Sequence, residues 1–419
     1  MDRRTFLQRS GGLAALLAGA QLVGGDPLEG GVAGAAARLV PADFPVGTPI
    51  LVLIDLAGGN DATNLVIDPN DPWYYDQRQG HGAIAIAADQ LLPLKGTTKA
   101  LNPAFAWLAK RYATAGDVAF VLGSGENVAH EFSHFAAQHY RQAASFSPSV
   151  TTGWLGRFND LMAPRSPFAS VSTSGVHPAL LAAQTPVLSV PSVQNFDFTI
   201  GWEWQDDFRA ALQQMAVPSW AKGSGGLAAQ QNLASTLTAQ VAVAGAWNET
   251  VANTFDSTDI AQQLSTAALL IAAGIPSRTY VVTYGSFDTH AGEDAAEDTL
   301  FGNLDAALGQ FFAAIEATPR AADVVVLCTS EFGRQQTAND SAGTDHGQAG
   351  LDLLVGKKVR GGLYGLPPKT APADRLDDAL VPTVDFRSTY ATVLNHLTGS
   401  TAVAQELLFG TFEDLGCFR

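Results

Sequence analysis

The sequence has little cysteine, little positive charge and no long apolar run. Its two cysteines, Cys328 and Cys417, are too few for a disulfide framework, and we interpret Cys328 as a small buried apolar residue. Lys and Arg total 24 against 40 Asp and Glu, and the formal charge of −16 argues against a nucleic-acid partner. Beyond the N-terminal segment no stretch approaches the ~18 apolar residues of a membrane-spanning helix, so we expect no transmembrane anchor in the mature chain.

Apolar residues, in contrast, are plentiful. Of the 419 residues 47% are hydrophobic, which is enough for one large core or two smaller ones. Short apolar runs predict buried strands at 49–56, 117–122, 279–284, 324–328 and 351–355. Helices are predicted at about 102–115 with Asn102 as its cap, and at 130–144, 258–273, 300–317 and 385–397.

The alternation of strands and helices predicts a fold class. Strands separated by helices of this length favour an α/β protein, a three-layer α/β/α sandwich around a mostly parallel sheet. We expect a single domain over residues 45–419, with a helical or irregular insertion around 166–256 that shapes access to the site.

The first 37 residues have the features of a twin-arginine signal peptide. Arg3 and Arg4 precede a weakly apolar Gly/Ala-rich run at 11–24, and the small residues at 35–37 form a candidate cleavage site. We therefore expect the twin-arginine translocase to export this chain, and the mature protein to be periplasmic or secreted.

One motif suggests a zinc protease. Residues His130-Glu131-Phe132-Ser133-His134 spell H-E-x-x-H, which on a helix places two histidines on one face with the glutamate as base. The extended form of that motif needs a glycine and a third histidine further on, and this chain has neither at the required positions. Two ligands alone do not make a catalytic site, so the metalloprotease is a weak hypothesis.

The same stretch allows a different interpretation. If a helix begins close to Ser133, the helix dipole and a nearby metal would favour the alkoxide needed for nucleophilic attack. The plain alternative is that Ser133 is a helix cap and His134 an ordinary buried histidine.

Acidic and imidazole groups follow the later predicted strands. Asp288 and His290 come after strand 279–284, and Asp345 and His346 come in a loop after strand 324–328. Ligand sites of open α/β sheets lie beyond the carboxyl ends of the strands, so these groups are expected to face one crevice. Each pair taken alone is more simply explained as a solvated loop. Together they favour a divalent metal such as zinc, magnesium, manganese or calcium.

Three further residues stand at strand ends. The glycines after strand 49–56 would bring Asp61 back over the sheet edge. Glu331 and Arg334 directly follow strand 324–328, and the fork of donors of Arg334 would suit a phosphate or sulfate group.

Eight short motifs occur in order along nearly the whole mature chain. They are Leu56-Ala57-Gly58-Gly59-Asn60-Asp61, Ser133-His134-Phe135 with Gln138, Gly153-Trp154-Leu155-Gly156-Arg157, Phe287-Asp288-Thr289-His290, Ser330-Glu331-Phe332-Gly333-Arg334, Gly343-Thr344-Asp345-His346-Gly347, Gly361-Gly362 and Thr383-Val384-Asp385-Phe386-Arg387. In this series the chain resembles a family of twin-arginine-exported bacterial proteins of unassigned function, which is grouped with the alkaline phosphatase and sulfatase-like superfamily.

The resemblance implies an alkaline phosphatase-like fold with a two-metal site, or a remnant of one, at the strand ends. It implies Ser133 as the nucleophile that attacks a phosphoryl or sulfuryl centre. The implied metal ligands are Asp61, Asp288, His290, Asp345 and His346, with Glu331 as the alternative to Asp345, and with Asp55 and His134 as lesser candidates. Ala57 and Ala62 stand where that family usually has Arg and Gly.

Three hypotheses follow. The first is an exported metal-dependent hydrolase of a small anionic phosphate or sulfate ester, in which Ser133 attacks and Arg334 orients the anion. The second is a non-catalytic exported binding or surface-assembly protein that holds a structural metal. The third is the zinc metalloprotease that uses His130, Glu131 and His134.

Overall fold

The computed structural model describes residues 44–79, 84–126, 132–162, 166, 168–196, 205–216 and 223–419. The predicted signal peptide, together with His130 and Glu131, lies outside the described residues. Within them, no helix is long and apolar enough to cross a membrane.

A nine-stranded sheet forms the centre of the fold. The strands of the chain are β1 (Ile50–Leu56), β2 (Val66–Ile67), β3 (Leu92–Pro93), β4 (Ala100–Leu101), β5 (Val118–Gly125), β6 (Ser170–Ser172), β7 (Val187–Ser189), β8 (Thr279–Tyr284), β9 (Val324–Thr329), β10 (Arg334–Ala338), β11 (Thr344–His346), β12 (Gly350–Val355), β13 (Gly362–Tyr364) and β14 (Val384–Asp385). The order across the large sheet is β13-β5-β12-β9-β1-β8-β6-β7, with β14 beside β5. Only β12, among the described strands of this sheet, runs antiparallel to its neighbours.

The composition of β1 explains its central position. Its side chains alternate between two apolar clusters: Ile50, Val52 and Ile54 pack on one face of the sheet, and Leu51 and Leu53 pack on the other. A strand that is apolar on both faces has to be covered from both sides, which is the usual state of a parallel sheet.

Helices pack on both faces of the central sheet. The helices are α1 (Ala62–Leu65), α2 (Pro72–Gln79), α3 (Ala106–Thr114), α4 (His134–Ala143), α5 (Trp154–Met162), α6 (Gln205–Met215), α7 (Gly223–Gly245), α8 (Glu249–Ala252), α9 (Asp259–Ala272), α10 (Glu293–Glu316), α11 (Phe386–Thr398) and α12 (Thr401–Leu407). On one face α3, α9 and α10 bury apolar side chains, and on the other α5, α11 and α12 do so. The predicted three-layer α/β/α architecture with a mostly parallel sheet is confirmed.

The five predicted core strands are all present, and three details differ from the sequence prediction. Asn102 does not cap α3: the helix begins at Ala106, and the Asn102 side chain accepts a hydrogen bond from the Ala104 N–H, so it forms a turn before the helix. Helix α10 begins at Glu293, two turns before the predicted start. The stretch 166–256 is not only a cap, because β6 and β7 extend the central sheet beside β8.

Candidate metal centre

Parallel strands β1, β8 and β9 end at the same edge of the sheet, and their exit loops pack against one another. Gly58 makes this close approach possible. Its φ is +123°, and a Cβ there would lie 2.5 Å from the backbone N of Asp288. The tight packing brings loop residues from distant parts of the chain to one place.

Three imidazoles gather around one carboxylate oxygen, Oδ1 of Asp288. The Nε2 atoms of His290 and His346 each lie 3.1 Å from it, and Nε2 of His134 lies 3.4 Å from it. The Nε2 atoms of His290 and His346 are 3.0 Å apart. The donor atoms of His134, Asp288 and His346 all lie within 4.8 Å of one another, and His290 contacts only the last two of these residues. Two ring nitrogens and a carboxylate in this arrangement form a donor set that a divalent metal such as zinc takes.

The opposite ring nitrogen of each histidine is held by an oxygen. His134 Nδ1 lies 2.9 Å from Glu331 Oε1, His290 Nδ1 lies 3.0 Å from Asp345 Oδ1, and His346 Nδ1 lies 2.7 Å from the Phe132 carbonyl oxygen. Donation from Nδ1–H to these acceptors selects the tautomer whose Nε2 lone pair faces the centre, as in metal-binding histidines. The Nε2 atom of His134 is buried and has no hydrogen-bond partner among the described residues, so this donor set fits a metal.

Asp288 is held in its charged form. Burial by itself would raise its pKa, but the hydrogen bond and the positive charge of Arg334 contribute to an opposite effect that lowers the pKa of Asp288 to about 2. The site therefore presents a carboxylate at any pH at which the protein would work.

Glu331 has a different role from the predicted metal ligand. Its side chain is buried, and its two carboxylate oxygens accept hydrogen bonds from the Gly58 N–H, from Gln138 Nε2 and from the Ser330 hydroxyl. Oε1 also meets His134 Nδ1. Because these partners occupy its oxygens, Glu331 orients His134 rather than reaching a metal itself. The similar contact of Asp345 with His290 makes Asp345 an orienting group as well.

Arg334 is not the predicted anion clamp. Its side chain is buried, and the guanidinium donates to the carbonyl oxygens of Gly58, Gly59, Phe287 and Thr344 and to Asp288 Oδ1. Three loops are tied together by this one side chain. Because its N–H groups donate to oxygens of the protein, Arg334 holds the loops of the site together and does not bind substrate.

Asp61, which follows the first strand, and Asp55, which lies inside it, do not join the three histidines. The Asp61 carboxylate is buried, caps α1 by accepting from the Thr63 N–H, and pairs with Arg78. Asp55 pairs instead with His177, whose Nε2 lies 2.9 Å from Asp55 Oδ2. Packing determines both pairings, because Arg78 lies beside the Asp61 carboxylate and the His177 ring lies beside that of Asp55.

The H-E-x-x-H motif does not form a zinc-protease helix. Helix α4 begins only at His134, and its N-cap Ser133 has an extended backbone with φ −91° and ψ 120°. Phe132 and Ser133 are therefore not helical, and the described part of the motif does not have the helical geometry that the metalloprotease hypothesis expects. His130 and Glu131 lie outside the described residues. Ser133 is exposed at the N-terminus of α4, next to the His134 ring.

Three buried charged residues near the site were not predicted from the sequence: Arg78, Glu293 and Glu297. Glu293 and Glu297 stand four positions apart on α10, a spacing that places them on one face of the helix. That spacing was the one feature of the sequence that could have predicted these two acids as neighbours. Burial first, and then the charge of Asp61, raise the pKa of Glu293 to about 8.

The fold and the site together define an α/β protein with histidines clustered around Asp288, in which His134, Asp288 and His346 could hold a divalent metal. Residues 106–401 match the model of a family described only as a protein of unknown function, DUF1501. The chain belongs to this family. No curated protein matches.

Several solved structures are similar over most of their length. They include Ps i-CgsB in complex with k-i-k-neocarrahexaose, with 8% identity, TM-score 0.38, and 88% of this chain and 75% of that chain covered. A protein of the Bacteroides thetaiotaomicron locus for metabolism of multiple glycosaminoglycans has 9% identity, TM-score 0.40, and coverage of 89% and 77%. The PsFucS1 sulfatase from a Pseudoalteromonas species has 11% identity, TM-score 0.39, and coverage of 93% and 77%. These values are too low to transfer a substrate or an activity to this chain.

Proposed function

We propose that this protein is an exported, metal-dependent hydrolase of phosphate or sulfate esters with an alkaline phosphatase-like fold. One observation carries the proposal: the Nε2 atoms of His134, His290 and His346 converge on Asp288 Oδ1, at 3.1 to 3.4 Å. Simple surface histidines would not each have Nδ1 fixed by an oxygen and Nε2 turned to a common point.

In this proposal His134, His346 and Asp288 hold the metal, and His290 lies beside them against Asp288 and His346. The metal would polarise the ester and offset the charge of an anionic substrate, which a protein of net charge −16 would otherwise repel. The acidic side chains behind the rings keep the imidazoles in position, and Arg334 fixes the loops that carry them.

Ser133 is the proposed nucleophile. It is exposed and stands at the N-terminus of the ten-residue helix α4, directly before the ligand His134. The backbone N–H groups of a helix N-terminus favour an anion, so α4 takes over the anion-orienting role that Arg334 cannot fill. Ser133 Oγ forms a bond to phosphorus or sulfur while the bond from that atom to the ester oxygen breaks, and the proton of the serine hydroxyl leaves with the alcohol. Water then cleaves the serine ester, which releases phosphate or sulfate and restores the hydroxyl.

The proposal includes export. The paired arginines and the small residues at 35–37 support recognition by the twin-arginine translocase and delivery to the periplasm or the outside. A fusion of residues 1–37 to a reporter that works only outside the cytoplasm, compared with a version carrying Lys at positions 3 and 4, tests this part separately.

The experiment that tests the function counts metal and turnover on the same samples. The full mature chain is purified without added metal, its metal content is measured, and hydrolysis of 4-nitrophenyl phosphate and 4-nitrophenyl sulfate is followed. We expect His346→Ala to lose metal and turnover, and Ser133→Ala to keep metal but lose turnover at least 100-fold. The matched controls are His139→Ala and Ser149→Ala, which change an exposed histidine-to-serine contact and an exposed serine pair.

The outcomes separate the hypotheses. Metal binding without turnover on a broad ester panel would favour the non-catalytic exported protein. Unchanged turnover in Ser133→Ala would remove the serine from the chemistry, and a wild-type chain that takes up no metal would remove the centre itself.

A further inference from the structure

A second group of acids lies in the interior, separate from the three histidines. Asp61, Glu293 and Glu297 are 0%, 0% and 2% exposed, and one carboxylate oxygen from each lies within 4.8 Å of the others. Arg78, also fully buried, pairs with Asp61, and its Nη1 lies 3.8 Å from Glu293 Oε1.

The charges in this group do not balance. When all three acids are ionised, three carboxylates face one guanidinium, a formal excess of two negative charges in a part of the protein without solvent exposure. Arg78 cannot do more, since its remaining donors go to the carbonyl oxygens of Gln335 and Gln336. Burying an unpaired carboxylate costs several kcal/mol, on the order of the whole free energy of folding for a few such groups.

Three carboxylate oxygens in this group accept no hydrogen bond of ordinary geometry from the described residues. They are both oxygens of Glu297, which has the Asn64 side chain nearby, and Oε1 of Glu293; all three are buried. The other Glu293 oxygen accepts from the hydroxyls of Thr289 and Thr344, which fixes the orientation of the carboxylate. Buried acceptors that lack donors mark the place of something that supplies positive charge.

We infer that Asp61, Glu293 and Glu297 form a site for a hard divalent cation, a second and structural site distinct from the histidine centre. All three ligands are carboxylates, which suits calcium, magnesium or manganese better than zinc. Two oxygens on opposite sides of a calcium ion lie about 4.8 Å apart, so the observed spacing fits one ion between them. Its two positive charges cancel the excess of two negative ones.

The position of the site indicates which part of the structure the ion would stabilise. Glu293 is the first residue of α10 and accepts from Thr289 and Thr344, and these threonines are neighbours in sequence of Asp288, His290 and Asp345. An ion held here fixes the start of α10 and, through the two threonines, the loops that carry the histidine centre. In this inference Asp61 is a metal ligand, but at a different site from the one predicted for it.

The test uses the full mature chain after extended dialysis against EDTA. Calcium and, separately, manganese are titrated back, and the bound ions per chain and the thermal midpoint Tm are measured. We expect one calcium or manganese per chain beyond any zinc, and a rise in Tm of about 3–6 °C at an ion concentration about 100 times Kd.

Two variants of equal charge change make the test specific. Glu297→Gln keeps the size of the side chain and should lose the calcium-dependent rise in Tm, with affinity lowered at least 10-fold. Asp298→Asn changes the exposed neighbour on the same helix and should keep both. His346→Ala should also keep the calcium response, which separates this site from the histidine centre.

Comparing the stability of wild type and Glu297→Gln in EDTA distinguishes the loss of ion binding from a general folding defect. Without an ion, Glu297→Gln should be at least as stable as the wild type, since it removes a buried carboxylate. A variant that is less stable than the wild type by the same amount with and without calcium contradicts the inference. So does a wild-type chain that binds neither calcium nor manganese, because the acids would then be kept neutral by protons.

Discussion

Arginine 334 offers a test of how the exit loops are held together. The substitution Arg334→Lys keeps one positive charge but replaces five N–H donors in a planar fork by three on a single nitrogen. Arg334 donates to four carbonyl oxygens and to Asp288 Oδ1, at 2.7 to 3.1 Å for the contacts with Gly59, Phe287, Thr344 and Asp288. An ammonium group therefore leaves at least two of these acceptors without a donor.

The expected loss follows from burial. The Arg334 side chain has no exposed surface, and each buried acceptor left unsatisfied costs about 1–3 kcal/mol. We expect Arg334→Lys to lower the free energy of unfolding by about 2–6 kcal/mol, a large share of the ~5–15 kcal/mol typical of a folded protein.

Urea unfolding followed by far-UV circular dichroism measures this change, with the m-value checked for constancy. Arg387→Lys is the matched control, because Arg387 is partly exposed and pairs with the single carboxylate of Asp385. We expect that control to lose less than about 1 kcal/mol. A loss of under 1 kcal/mol in Arg334→Lys, with weaker binding of phosphate or sulfate, would instead restore the anion clamp and refute the structural role.

Three further predictions concern pH, ring orientation and loop packing. Burial lowers the pKa of His396 to about 4, so the unfolded chain binds a proton there before the folded one does as the pH falls from 6.5 to 4. The free energy of unfolding should fall by about 1–2 kcal/mol over that pH range. His396→Phe should remove this part of the loss in urea titrations at pH 7 and pH 4.5. Glu331→Gln should lower zinc affinity about 10- to 100-fold in a chelator competition, and an unchanged affinity would show that Glu331 does not orient the ligand. Gly343→Ala places a Cβ 2.4 Å from the carbonyl carbon of His290 and should lower zinc affinity and Tm together, whereas Gly285→Ala, which has open space around it, should change neither.

The strands were predictable because their physical cause is local. A run such as Val324–Thr329 is apolar on both faces and can only be satisfied between two layers, so its position in the sheet follows from composition. The start of α10 was missed for the opposite reason. Its first turn is acidic, with Glu293 and Asp294, and has no apolar stripe until Leu300.

The sequence predicted which residues meet at the candidate site better than it predicted what each of them does there. Asp288, His290, Asp345 and His346 were expected to meet because they stand at strand ends, and they do meet. The role of each acid depends on the partner that packing supplies, and the partner comes from elsewhere in the chain: Arg78 for Asp61. Sequence spacing carries no information about such pairings.

The order of strands in the large sheet has a consequence for how this chain is made. Strand β1 leaves the ribosome well before its two neighbours, β8 and β9, which begin at Thr279 and Val324. At ~5–20 residues per second, β1 waits about 14–55 s before both partners have been synthesised. During that time a seven-residue, almost wholly apolar segment has neither edge paired, so we expect the nascent chain to need a holding chaperone, and folding to be completed only after release.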